Sequence, residues 1–110
     1  MQINTRRTDQ MTILDVSGDI DLANSPAMRK ALLHEIKELR TPRVALNLCA
    51  VKYIDSSGVA SLVEGLKAAR DTGARFILFG LTTGVREVMQ LSKLVKIFEI
   101  CDNEAEAIAK

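Results

Sequence analysis

An α/β fold is what this 110-residue chain predicts, with a mixed, largely parallel sheet of about five strands and about four helices in one domain spanning residues 1–110. Three observations carry that expectation. Short apolar or alternating runs recur between stretches of helical periodicity, in the order ββαβαβαβα. Strands that alternate with helices are joined by right-handed crossovers onto a parallel sheet. The hydrophobic share of 47% and charged share of 26% suit a chain that buries one core.

The elements follow in order. Gln2 to Arg7 and Met11 to Ser17 read as strands joined by the polar turn Thr8-Asp9-Gln10. In the second, Met11, Ile13 and Asp15 fall on one face, opposite Leu14 and Val16. Asn24-Ser25-Pro26 signals a helix start, with Ser25 placed to cap orphan N–H groups and Pro26 suited to the first turn. That helix is expected to run to Leu39, with Met28, Leu32, Ile36 and Leu39 as its apolar stripe and Lys30, Glu35, Lys37 and Glu38 mostly off it. Thr41-Pro42 ends it. Val44 to Leu48 is short and mostly apolar, as a central strand buried on both faces should be.

Asp55-Ser56-Ser57-Gly58 opens a second helix carried by Val59, Leu62, Val63 and Leu66 and closed by Thr72-Gly73. Arg75 to Phe79 is a further strand. Gly80 to Gly84 turns into a third helix through about Leu94. Lys96 to Ile100 reads as a last strand and Glu104 to Ala109 as a last helix. The third helix region carries Val85, Val88, Met89, Leu91, Leu94 and Val95, more apolar residues than a narrow stripe needs. Met89 or Leu91 is therefore expected to stay exposed as part of a docking patch with the serine helix.

Several function classes fall away. A net charge of +1 offers no general field for nucleic acid or anionic lipid. No apolar stretch approaches the roughly 20 residues of a membrane span, and the N-terminal residues lack a signal core, so a cytoplasmic location without membrane insertion is expected. One histidine and two distant cysteines cannot supply a four-ligand metal site, and no cofactor motif is present. Cys49 and Cys101 read as core residues at strand ends. A hydrolase of Ser56, His34 and Asp21 lacks the Gly-x-Ser-x-Gly elbow, and His34 reads as a surface or boundary residue. Gly80-Leu81-Thr82-Thr83-Gly84 lacks the lysine of a phosphate loop. The chain is expected not to be an enzyme.

The informative segment places two hydroxyls and a carboxylate where a strand hands over to a helix. Unpaired first-turn N–H groups and the positive end of the helix dipole tolerate an anion there. From spacing alone two readings stand. Ser56 or Ser57 is a plain N-cap, with Asp55 complementing the dipole, or a hydroxyl is presented for modification.

Val44 to Leu66, a hydrophobic strand leading into Asp-Ser-Ser-Gly and a leucine-rich helix, resembles the signature of STAS domains. Gly18-Asp19-Ile20-Asp21 followed by Asn24-Ser25-Pro26 resembles the family's other recurring segment. The resemblance implies an anti-sigma-factor antagonist in which Ser56, or alternatively Ser57, is phosphorylated by a partner kinase that is also the anti-sigma factor. It places Asp21, Asp55, Ser57 and Gly58 on the partner-binding rim, while Asp21 reads equally as a loop carboxylate that helps the turn before Asn24-Ser25-Pro26. A serine phosphatase would reset the switch, and a second copy of the chain is a further candidate partner. The same fold also serves as a non-catalytic subunit bound to the ATPase of lipid-transport ABC systems, which is the alternative. One departure stands out: Asn47-Leu48 replaces a common Asp-Leu, which would lower negative charge near the site.

Overall fold

A computed structural model describes residues 1–110. The strands are β1 (Gln2–Arg7), β2 (Thr12–Ser17), β3 (Arg43–Ala50), β4 (Arg75–Phe79) and β5 (Glu99–Cys101), and the helices are α1 (Ser25–Leu33), α2 (Ser56–Thr72), α3 (Thr83–Leu91) and α4 (Glu104–Ala109). They form one five-stranded sheet in the order β1-β2-β3-β4-β5. Only β1 runs antiparallel to its neighbour; β2 through β5 pair in parallel. The hairpin at the first two strands and the parallel pairing after them are those expected from the element order.

Alternation along the strands sorts side chains onto two faces. Leu14, Val16, Val44, Leu46, Leu48, Phe76 and Leu78 join the core under α1, α2 and α3, where Met28, Leu32, Leu62, Val85 and Met89 pack against them. Met11, Ile13, Ala45, Ile77, Phe79 and Cys101 make a smaller cluster on the opposite face, closed by Ala107 of α4. The central strand is thus covered on both sides.

Three helix boundaries differ from expectation, each for a local reason. Ser25 is the first helical residue and is buried, not the cap; Asn24 holds the cap position without a side-chain bond. Asp21 satisfies the start instead. Its carbonyl accepts from Asn24 N and Ser25 N (3.1 and 2.7 Å), and its carboxylate accepts from Asn24 N at 3.0 Å.

The far end of this helix widens into a π-helical turn over His34–Glu38. The extra residue per turn rotates the inward face. Leu39 consequently stands 47% exposed, while Glu35, expected on the outer face, is 3% exposed. Glu35 receives both Arg7 guanidinium nitrogens (2.7 and 3.0 Å) and the Thr41 hydroxyl. Burial pushes the Glu35 carboxyl up, but Arg7 and Thr41 outweigh it and the net shift is downward. His34 lies on the surface beside Glu38, as expected.

α3 ends at Leu91 rather than Leu94, because Lys93 takes a left-handed conformation (φ 59) and Leu94 N closes back onto the Met89 carbonyl. Gly73 caps α2 in the same conformation (φ 73), which glycine adopts without a Cβ penalty. Cys101 is buried, but Cys49 is exposed at the end of β3, contrary to the expected core position.

Candidate functional site

The loop after β2 and the loop after β3 meet beside the start of α2. A parallel bridge pairs Ile20 with Ile54. Ile20 N donates to the Tyr53 carbonyl (3.0 Å), and Asp55 N donates to the Ile20 carbonyl (3.2 Å). Both isoleucines are buried. Gly58 lies directly on them: a Cβ there would stand 2.5 Å from the Ile20 carbonyl oxygen and 2.6 Å from Ile54 Cγ1. Glycine at this position is required by that close approach of α2 to the loop.

Asp55 is the N-cap of α2, a role expected of Ser56 or Ser57. Its Oδ1 accepts from Ser57 N (3.0 Å), Gly58 N (3.1 Å) and the Ser57 hydroxyl (2.5 Å), and its Oδ2 accepts from Leu22 N (3.1 Å). The Ser57 hydroxyl, then the Gly58 amide, hold the Asp55 carboxyl below its usual range, with the Leu22 and Ser57 amides adding to them against partial burial. One carboxylate thereby caps the helix and ties the Asp21–Leu22 loop to it.

The two serines are consequently unlike. Ser57 is half-buried and its hydroxyl is held by Asp55. Ser56, the first residue of α2, is exposed, and its hydroxyl has no bonding partner in the fold. Large apolar residues stand out beside it in the chain and across the loop junction: Tyr53 is 52% exposed and Leu22, whose amide touches Asp55, is 76% exposed. Sequence reasoning passed over both. A leucine and a tyrosine isolated among turn residues, outside any helical or strand period, were the available signal.

Of the other expected site residues, Asp21 is half-buried and occupied with the turn into α1. Met89 is fully buried in the core and drops out of any docking patch. Leu91 is 84% exposed. The start of α3 adjoins the loop after β3 through a hydrogen bond from the Thr82 hydroxyl to the Val51 carbonyl (2.6 Å), and Leu91 is the last residue of that helix.

Asn47 is also displaced from its expected setting. Its side chain lies on the α4 side of the sheet, donating to Asp15 (2.8 Å) and accepting from Cys49 N (3.0 Å). An aspartate there would face the Asp15 carboxylate across paired strands, so the amide relieves a charge conflict inside the sheet. No cluster of histidine, cysteine or carboxylate side chains could hold a metal ion, and no helix is long and apolar enough to cross a membrane.

The STAS domain family model matches residues 2–107. The chain belongs to the STAS domain family. It is 32% identical over 107 residues to the anti-sigma-B factor antagonist of Listeria monocytogenes, covering 96% of this chain and 91% of that protein. Among solved structures, a provisionally assigned anti-sigma factor antagonist from Thermotoga maritima superposes with a TM-score of 0.91 at 25% identity, covering 97% of this chain and 92% of that one. The Bacillus cell fate determinant SpoIIAA in its phosphorylated form superposes with a TM-score of 0.74 at 21% identity, covering 98% and 97%, a likeness of fold. The five-stranded mixed sheet with four helices is the STAS fold.

Proposed function

We propose that this STAS domain is an anti-sigma factor antagonist: a non-enzymatic binding module that holds an anti-sigma factor while Ser56 is unmodified and releases it when Ser56 is phosphorylated. The observation that carries the reading is the free, exposed Ser56 hydroxyl at the first turn of α2, on a surface that also presents Tyr53 and Leu22. Apolar side chains of this size are suited to anchor a protein partner. The curated relative from Listeria, named for antagonism of an anti-sigma factor, supports the partner class.

Phosphorylation would act on this surface directly. It adds about −1.5 to −2 charges at neutral pH. Asp55 already occupies the Ser57 and Gly58 amides, so the new anion would sit beside a carboxylate at the helix start and remain turned to the partner. A partner surface fitted to a neutral hydroxyl then meets uncompensated charge. The modifying kinase is the anti-sigma factor itself in this reading, and a serine phosphatase restores binding.

Affinity capture from lysate of the cells that make this chain tests it. Wild type and Ser56→Ala should retain a kinase-like ATPase, and Ser56→Asp should lose it by about tenfold or more. Equal capture of a transporter ATPase by all three would make the chain a structural subunit of a lipid-transport system instead.

A further inference from the structure

We infer that Asp55 is a positioning residue that selects Ser56 over Ser57 as the hydroxyl open to phosphorylation. The inference rests on the switch reading above and assigns Asp55 a role inside the fold, in place of a contact with the partner. Adjacent serines have the same chemistry, so what separates them is their surroundings. In phosphoryl transfer the serine oxygen bonds to the γ-phosphorus of ATP as the bond to ADP breaks, and the serine proton passes to a base on the kinase. The reacting oxygen must therefore be exposed and its proton available.

Ser57 meets neither condition. Its hydroxyl donates to Asp55 Oδ1 at 2.5 Å, and the residue is half-buried against the helix start. The acceptor cannot easily turn away, because the same oxygen also receives Ser57 N and Gly58 N, and the carboxylate's other oxygen receives Leu22 N. Four donors on one carboxylate also make it a weak base, so it holds the Ser57 proton without activating the oxygen. Ser56, one residue earlier, points its hydroxyl at none of these groups and is exposed.

The two carboxylate oxygens can be separated by mutation. Asp55→Asn keeps an Oδ1 acceptor for the helix start and the Ser57 hydroxyl, but its amide nitrogen cannot accept from Leu22 N. Asp55→Ala removes both functions. The test is phosphosite mapping by mass spectrometry on the chain recovered from its own cells, with amide hydrogen exchange on the same variants to verify the fold.

Wild type should carry its phosphate on Ser56. Asp55→Asn should keep that preference while the Leu22 amide exchanges faster. Asp55→Ala should raise the share on Ser57 by about tenfold or more, as expected for releasing a charge-assisted hydrogen bond. Ser56→Ala should carry no phosphate, and the double variant Asp55→Ala/Ser56→Ala should regain it at Ser57. An unchanged Ser57 share in folded Asp55→Ala overturns the selection by Asp55 and leaves the switch intact, whereas phosphate on Ser57 in the wild type overturns both the selection and Ser56 as the switch residue. Absence of phosphate from both serines in the wild type overturns the switch reading, and this inference with it.

Discussion

On one side of the sheet, seven strand residues from Leu14 to Leu78 meet the apolar sides of α1, α2 and α3, and fully buried leucines, isoleucines and methionines interlock. On the other, Met11, Ile13, Ala45, Ile77, Phe79 and Cys101 are covered by α4, a six-residue helix whose one buried side chain is Ala107. α4 is held mainly by arginines. Arg6 reaches Glu104 (2.6 Å), Arg43 donates to the carbonyls of Ala107 and Ile108 (both 3.3 Å), and Arg75 donates to the carbonyl of Lys110. Cations at the C-terminal carbonyls of a helix are well placed, but exposed charge pairs are weak and salt-screened, and a helix this short has little stability of its own. The contrast teaches where rigidity is invested. The loop junction at Ile20, Ile54 and Asp55 is built onto the firmly packed side, which holds Ser56 in place; the α4 side is expected to open first.

The strongest way to break this contrast is in the three-helix core. Leu62 of α2 is fully buried, and Leu62→Ala should cost about 3 kcal/mol, read as a lower urea midpoint with little change in slope. A cost below about 1 kcal/mol would mean that this side is not the stable one.

Acid titration gives a smaller effect. Because the folded-state pKa of Glu35 lies below its ordinary value of 4.5, its contribution is present above that value and is lost as pH falls through the depressed folded pKa. Stability of the wild type should therefore decline below about pH 4.5, and Glu35→Gln should flatten that part of the profile while lowering stability at neutral pH by roughly 1–2 kcal/mol. Parallel profiles for the two proteins would remove Glu35 from the account.

The α4 side is probed with the least perturbation. In a Cys49→Ser background, Cys101 is the remaining thiol, buried and with its pKa raised by burial first and Glu106 next. Its labelling should be faster than global unfolding allows. Arg75→Ala or added salt should accelerate it roughly two- to fivefold with almost no change in the urea midpoint. Labelling that tracks the global unfolding rate under every condition would show the two sides opening together.

Much of this architecture was legible from residue patterns. Arg75 to Phe79 and Glu104 to Ala109 match their observed bounds, and Gly73 closes α2 as its turn chemistry requires. These elements have clear periodicity and strong end signals, which act over a few residues. The departures have both near and distant causes. Ser25 is not the cap because Asp21, four residues earlier, accepts from the helix start, whereas Glu35 is drawn inward by Arg7, on a strand 28 positions away. Leu39 and Met89 exchanged their expected exposures because a π-helical turn and the packing of α3 set which way each faces.

The serine site divides in the same manner. Local sequence was sufficient to place a carboxylate and two hydroxyls at a strand-to-helix junction, since backbone donors at a helix start demand such residues whatever surrounds them. The cap itself is local, since Asp55 receives Ser57 N, the Ser57 hydroxyl and Gly58 N within three residues, which leaves Ser56 unbonded. Tertiary structure decided that Leu22 binds the same carboxylate, because that contact between residues 33 positions apart requires the loop after β2 to cross the start of α2, which local spacing does not encode.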